Sequence, residues 1–363
     1  MTLTIQDIVP ANVNLKWLRD NTIYLTKYGS HAYGTSTPES DLDIRGIAIP
    51  PKEYYFGVLS TFEQYLSSEP YDLCIFDLRK FVKLALDFNP NAVEILFTEQ
   101  EDHIYEKSPV QKLFDNKEKF ISKKAKHTLS GYSRAQIKRI KTHRKYIINP
   151  PTKKPERIDF GLPANNTLIP HHQLLEIDAA INKKISEWQI DTTNLSNDTV
   201  IQIKNSMHDI MLELKINTEE FDLYAAKYLG LNDNLLEAFK AERQYKNAKR
   251  EWDNYNEWKA KRNPKRYAME EKYLMDTKHC SHCVRLFRSC RELLETGKFK
   301  VRRDDAEELL AIKNGAWTYE QLIEFADKEE AYLNELYKTS AIPNEPDRKF
   351  INELCMEMIE EMI

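Results

Sequence analysis

Cysteine is sparse and odd in number. The five residues, at 74, 280, 283, 290 and 355, exclude a complete disulfide framework and point to a reducing compartment. No apolar run approaches 18 residues, so no membrane-spanning helix is expected. The opening Met-Thr-Leu-Thr-Ile-Gln-Asp lacks the basic and apolar segments of a signal peptide, and the expected location is the cytoplasm. Internal repeats and low-complexity tracts are also missing. Glycine is scarce, with nine in 363 residues, yet three of them (Gly29, Gly34 and Gly46) fall within YGSHAYGTSTPESDLDIRGIAI, residues 28–49. That concentration marks the stretch for closer reading.

A chain of this length, with 41% hydrophobic and 30% charged residues, can bury a real core in one large domain or two. The net charge of −4 hides a segregation. Between Lys112 and Lys154 there are fourteen lysines and arginines against Asp115 and Glu118. Between Lys240 and Arg266 ten more stand against four acids, interleaved with Tyr245, Trp252, Tyr255 and Trp258. Such stretches either form solvated helix faces or track a phosphate backbone while rings stack on bases. The segment from Asp304 onward is acidic.

The first hundred residues mix strands and helices. Ile23–Tyr28 alternates apolar and polar, residues 42–49 run into an apolar end, and Tyr71–Phe76 reads as a third strand. Asp77 is placed to open a helix whose Phe81, Leu84, Ala85 and Phe88 keep helical spacing; Asn89-Pro90-Asn91 ends it and Ala92–Phe97 starts another. Beyond residue 105 only amphipathic helical patterns remain, broken by a proline-rich loop at 149–163. The expected fold class is α+β: a mixed sheet with helices over residues 1–105, then a mostly helical domain over 106–363 that is basic in 112–154 and 240–266.

Within the opening stretch, a strand followed by Gly29-Ser30 and a turn exposes backbone N–H groups that can hold a phosphate, with the Ser30 hydroxyl as a further donor. Asp41, Asp43 and Arg45 then share one face of the next strand. Carboxylates so placed repel one another unless they are solvated or hold a cation. Two Mg²⁺ ions about 4 Å apart could activate a hydroxyl and stabilise a leaving oxyanion. That design wants a third carboxylate from a neighbouring strand. Asp77 is explained as a helix N-cap, whereas nothing local explains Asp72, so Asp72 is the expected third ligand. A surface strand or the Asp-x-Asp of a glycosyltransferase remains the rival reading.

These residues resemble the nucleotidyltransferases of the DNA polymerase β superfamily. More narrowly, GSHAYG…SDLDIRG, YYFG, DLRKF, NPNAVEILF and RNPKR…DTKHCSHCVRLFR…ELLETG are similar to a bacterial and phage family of predicted nucleotidyltransferases associated with RNA repair. The resemblance covers residues 23–97 and 259–318. It implies that Gly29 and Ser30 hold the phosphates of a nucleoside triphosphate, that Asp41, Asp43 and Asp72 bind two Mg²⁺ ions, with Mn²⁺ an alternative, and that Arg45 neutralises carboxylates or meets substrate.

HCSHC at 279–283 invites a zinc reading, but no second Cys/His pair at suitable spacing supports it. The better expectation is a cationic helical stripe of Lys278, His279, His282 and Arg285, on a helix over 276–288 that reaches the active site and clamps a triphosphate. The expected function is metal-dependent transfer of an NMP from an NTP, ATP among the candidates, to a hydroxyl, foremost the 3′-OH of a tRNA or other RNA. Modification of a protein side chain and a non-catalytic nucleic-acid-binding module are the alternatives.

Overall fold

β1 (Thr22–Tyr28), β2 (Asp43–Ala48), β3 (Gln64–Ser67), β4 (Asp72–Asp77) and β5 (His103–Glu106) form one sheet in the order β3-β4-β2-β1-β5. The computed structural model describes residues 3–9, 14–164 and 233–363, with positions 172 and 179. β2 runs antiparallel to β1 and parallel to β4. The three central strands are those with aromatic and β-branched alternation, which suits a pleated surface buried on both sides. One side presents Tyr24, Tyr28, Ile47, Cys74 and Phe76 to the main helical core. The other presents Leu25, Ile44, Ala48, Leu73 and Ile75 to a smaller cluster with Ile5, Ile8 and Leu18. The fold is the expected mixed sheet followed by helices.

The edge strands β3 and β5 were not visible in the sequence. Each has four residues and lacks a buried alternating face, so neither gives a period-two signal.

By compactness the described chain divides into Met1–Ile148 with Pro264–Ile363, and Asn149–Asn263. Residue 105 falls inside the first unit. There, the Thr277–Thr296 helix packs along the Lys124–Ile148 helix, and both belong to the same core as the sheet's helical face. In the second unit, Arg157 pairs with Glu242 of the Asp233–Ala260 helix.

Asp77 stands at the N-cap of the Leu78–Leu86 helix, but its carboxylate makes no capping hydrogen bond. It is buried and instead accepts from the Tyr55 hydroxyl at 3.3 Å and the Arg79 guanidinium at 3.1 Å. Burial raises its pKa, and Arg79 opposes that shift. Asp77→Ala is therefore expected to leave the half-buried Tyr55 hydroxyl without this acceptor and cost about 1 kcal/mol of stability. Urea denaturation would measure this, and catalysis should survive the change.

Candidate active site

β1 ends at Tyr28, and the chain reverses through Gly29 at φ 62° into the single turn Ser30–Tyr33. A side chain at Gly29 is excluded twice. Its φ lies in the left-handed region, and a Cβ there would fall 2.2 Å from Asp43 Oδ2. The turn and the second aspartate are thus in direct contact. Strand register adds the rest: Asp43 pairs with Tyr28 on one side and with Asp72 on the other. Because directly paired residues of parallel strands point to the same face, the Asp43 and Asp72 carboxylates emerge together. Asp41 precedes β2 and is exposed.

Asp43 is half-buried, and burial raises its pKa above the ordinary carboxylate value. Arg45 opposes that shift, Asp72 reinforces it, Lys278 opposes it and Asp41 reinforces it. Four of the expected site residues therefore act electrostatically on one carboxylate. Arg45 lies over the Tyr28 ring, 5.2 Å from its centroid. It donates to the Asp72 carbonyl at 2.8 Å and to Asp72 Oδ1 at 3.2 Å. The Asp72 side chain is otherwise open, 61% exposed.

The expected cationic stripe divides. Lys278 is exposed, and its charge acts on Asp43. His279 sits over the N-cap of its own helix, with Nδ1 2.5 Å from Asp276 Oδ2, and Arg266 contacts the same carboxylate at 2.7 Å. His282 is half-buried, and desolvation first, then the charges of Arg285, His279 and Lys278, pushes its pKa down to about 3. Arg285 is 3% exposed and bonded to the buried Glu94. The face shared by Lys278, His282 and Arg285 on a helical wheel thus runs from an exposed lysine, through a half-buried histidine, to an enclosed arginine.

A neutral, half-buried His282 has a consequence for stability. The unfolded chain takes up a proton near the ordinary value of 6.5, which the folded chain refuses down to about 3. Stability from this residue is fully present above pH 6.5 and falls as pH drops through the window between the two values. His282→Gln, which keeps an acceptor for Arg285, should flatten that limb in a plot of denaturation midpoint against pH.

Cys280 and Cys283 are fully buried core thiols, and burial drives the first up to about 12 and the second higher still. Cys283 points to the Ser133 carbonyl at 3.6 Å. Among the described residues, His143, Glu270 and Asp276 bring ligand atoms within 4.8 Å of one another. The Arg266 guanidinium, against Asp276, already supplies positive charge there.

In the basic stretches, Arg134 pairs with Glu330 and Arg144 with Glu320. In the second compact unit, Tyr245 packs edge-on against Phe160 beneath Arg157, and Tyr255 is buried beside Trp258. Several rings expected to meet bases are thus engaged within the protein.

Sequence reasoning missed two groups. His31, the residue after Ser30, has its Nε2 enclosed without a hydrogen-bond partner among the described residues; its place inside GSHAYG was the available signal. Glu94 was also missed. It is 0% exposed, and it accepts from Tyr28 and Tyr33 on either side of the Gly29-Ser30 turn.

Among the described residues, no helix is long and apolar enough to cross a membrane. No solved structure matches the chain. An uncharacterized 38.9 kDa protein from the nrdC–mobD intergenic region of Enterobacteria phage T4 is 34% identical over 126 residues, covering 32% of this chain and 37% of that protein. The uncharacterized protein YcgL of Bacillus subtilis is 35% identical over 78 residues, covering 20% of this chain and 29% of the relative. The chain thus spans about a third of the length of the curated relatives it matches. A family model, described as the RNA repair pathway DNA polymerase beta family, matches residues 8–153, the segment that carries the Gly29-Ser30 turn and all three aspartates.

Proposed function

We propose that the protein transfers an NMP from a nucleoside triphosphate to the 3′-hydroxyl of an RNA and releases pyrophosphate. The family points to a polymerase β-like nucleotidyltransferase in RNA repair. The observation that carries the reading is the convergence of Asp41, Asp43 and Asp72 beside a glycine that only an absent side chain lets Asp43 approach.

The donor set fits a hard divalent cation, since it is all oxygen. The like charges that help to raise the pKa of Asp43 are the ones such a cation would relieve. Arg45 engages one oxygen of Asp72 and leaves Oδ2 for a ligand role. Asp41, Asp43 and Asp72 would hold two Mg²⁺ ions, or Mn²⁺, which supply Lewis acidity toward the α-phosphoryl group and lower the pKa of the attacking hydroxyl. The amide groups after Gly29 and the Ser30 hydroxyl bind phosphate oxygens. Lys278, whose charge already acts on Asp43, offsets the triphosphate's charge. Arg45 orients Asp72 through its two bonds to that residue.

A protein acceptor is the second reading, favoured by the engagement of Tyr245 and Tyr255 within their own unit, which leaves fewer rings for bases. The deciding experiment incubates purified protein with Mg²⁺ and each α-labelled NTP in turn, together with tRNA, single-stranded RNA and a protein mixture. Label in RNA is the expected result. Label in protein would replace RNA as the acceptor, and label in neither would refute transfer.

A further inference from the structure

Glu94 lies in NPNAVEILF, a run whose other members are apolar or helix-capping, and its carboxylate is wholly enclosed. A buried carboxylate is costly unless its oxygens are satisfied and its charge is paired. Both conditions are met here, by residues from three separate parts of the first compact unit. Arg285 Nη1, from the Thr277–Thr296 helix, donates to Oε1 at 2.7 Å. Tyr28 and Tyr33 hydroxyls donate to Oε2 at 2.8 and 2.7 Å. The Arg285 guanidinium also lies flat against Tyr33, 3.7 Å from the ring centroid.

The two tyrosines are the last residue of β1 and the last of the Ser30–Tyr33 turn, so they bracket Gly29 and Ser30. Tyr33 is held a second time through its carbonyl, which accepts from the Arg303 amide at 3.1 Å. Its partner helix begins with the segment carrying Lys278. A stable core could be built more cheaply from apolar side chains, because a buried ion pair is often no more stabilising than its hydrophobic replacement. What the charged arrangement adds is a fixed direction at each bond.

We propose that Glu94, Arg285, Tyr28 and Tyr33 form a positioning strut that sets the Gly29-Ser30 turn for a nucleotide's phosphates and holds it in register with the helix bearing Lys278. This rests on the nucleotidyltransferase reading. None of the four touches the reacting atoms. They act by fixing the groups that do, where an error of a fraction of an ångström weakens binding and reaction.

Tyr33→Phe removes one hydroxyl and keeps the ring under Arg285; Tyr28→Phe does the same on the other side of the turn. Val93→Ala, in the same helix as Glu94 and equally buried but outside the strut, serves as the comparison. Binding of Mg²⁺-ATP, -GTP, -CTP and -UTP would be measured directly, with KM and kcat for the nucleotide that reacts, and melting temperatures for all variants. Each tyrosine variant is expected to weaken nucleotide binding and raise KM by about tenfold, the scale of one charge-assisted hydrogen bond, with a smaller fall in kcat. Val93→Ala should lower the melting temperature and leave affinity unchanged. Tyrosine variants that melt lower but bind nucleotide as tightly as the wild type would overturn the strut and leave the enzyme reading standing. A wild-type protein that binds none of the four nucleotides would overturn both.

Discussion

Asp43→Ala is expected to abolish nucleotidyl transfer and leave the fold intact. Asp43 is the carboxylate on which the site converges: it touches Gly29, pairs in register with Asp72 and feels Asp41, Arg45 and Lys278. Removing a carboxylate proposed to hold the divalent cations should reduce kcat/KM by about a thousandfold or more, on the order of 4 kcal/mol of transition-state stabilisation. Stability should not suffer in proportion, because burial and two neighbouring acids already disfavour the ionised group. Circular dichroism and melting curves would verify the fold, and single-turnover label transfer would give the rate. Asp72→Ala should follow the same pattern. An Asp43→Ala protein with near-normal turnover would refute the mechanism.

The largest expected loss of stability comes from Glu94→Ala. It leaves the Arg285 guanidinium charged and enclosed with no carboxylate opposite, the buried Tyr33 hydroxyl without its acceptor, and the Tyr28 hydroxyl with the Pro90 carbonyl at 3.3 Å in place of a carboxylate. Breaking a buried pair in this way costs about 3–5 kcal/mol. Replacing both partners, as in Glu94→Leu with Arg285→Met, should recover much of that loss, because no isolated charge remains. Chemical denaturation of the three proteins, read as midpoint and slope, would give the comparison. If the single and double variants were equally unstable, the pair's charge would not be what matters at this position.

The central sheet was legible because Ile23–Tyr28 alternates, while 42–49 and 71–76 run into continuous apolar ends of the kind that strands buried on both faces carry. Asp72 was chosen over Asp77 by an argument about local roles, and the register gives the geometric reason for preferring it: Asp72 stands opposite Asp43, whereas Asp77 stands opposite Ala48 at the far end of the strand pair. The cap proposed for Asp77 failed because a short side chain at a helix start can be claimed by tertiary partners, here Tyr55 and Arg79. Helical periodicity correctly put Lys278, His282 and Arg285 on a common side. Periodicity carries no information about how deeply each position of that side is buried, and here exposure falls from Lys278 to Arg285. Glu94 was illegible for the same reason. A lone acid in an apolar helix reads as its wet face until the arginine that meets it, 191 residues away, is placed.

The sheet's helical face is closed by residues made late in synthesis. Phe88 and Phe97 meet Phe299 edge-on at 5.2 and 5.4 Å, and Glu94 waits for Arg285. A ribosome delivers the strands long before it delivers their cover, so nascent chains carry an exposed aromatic surface and an unpaired acid until the final hundred residues emerge. Contacts of such long sequence separation slow folding and favour association with chaperones. A fragment cut to residues 8–153, the stretch matched to the family, keeps the aspartates and loses this cover. It should be recovered as aggregate, and co-expression of residues 264–363 as a separate chain should return it to solution.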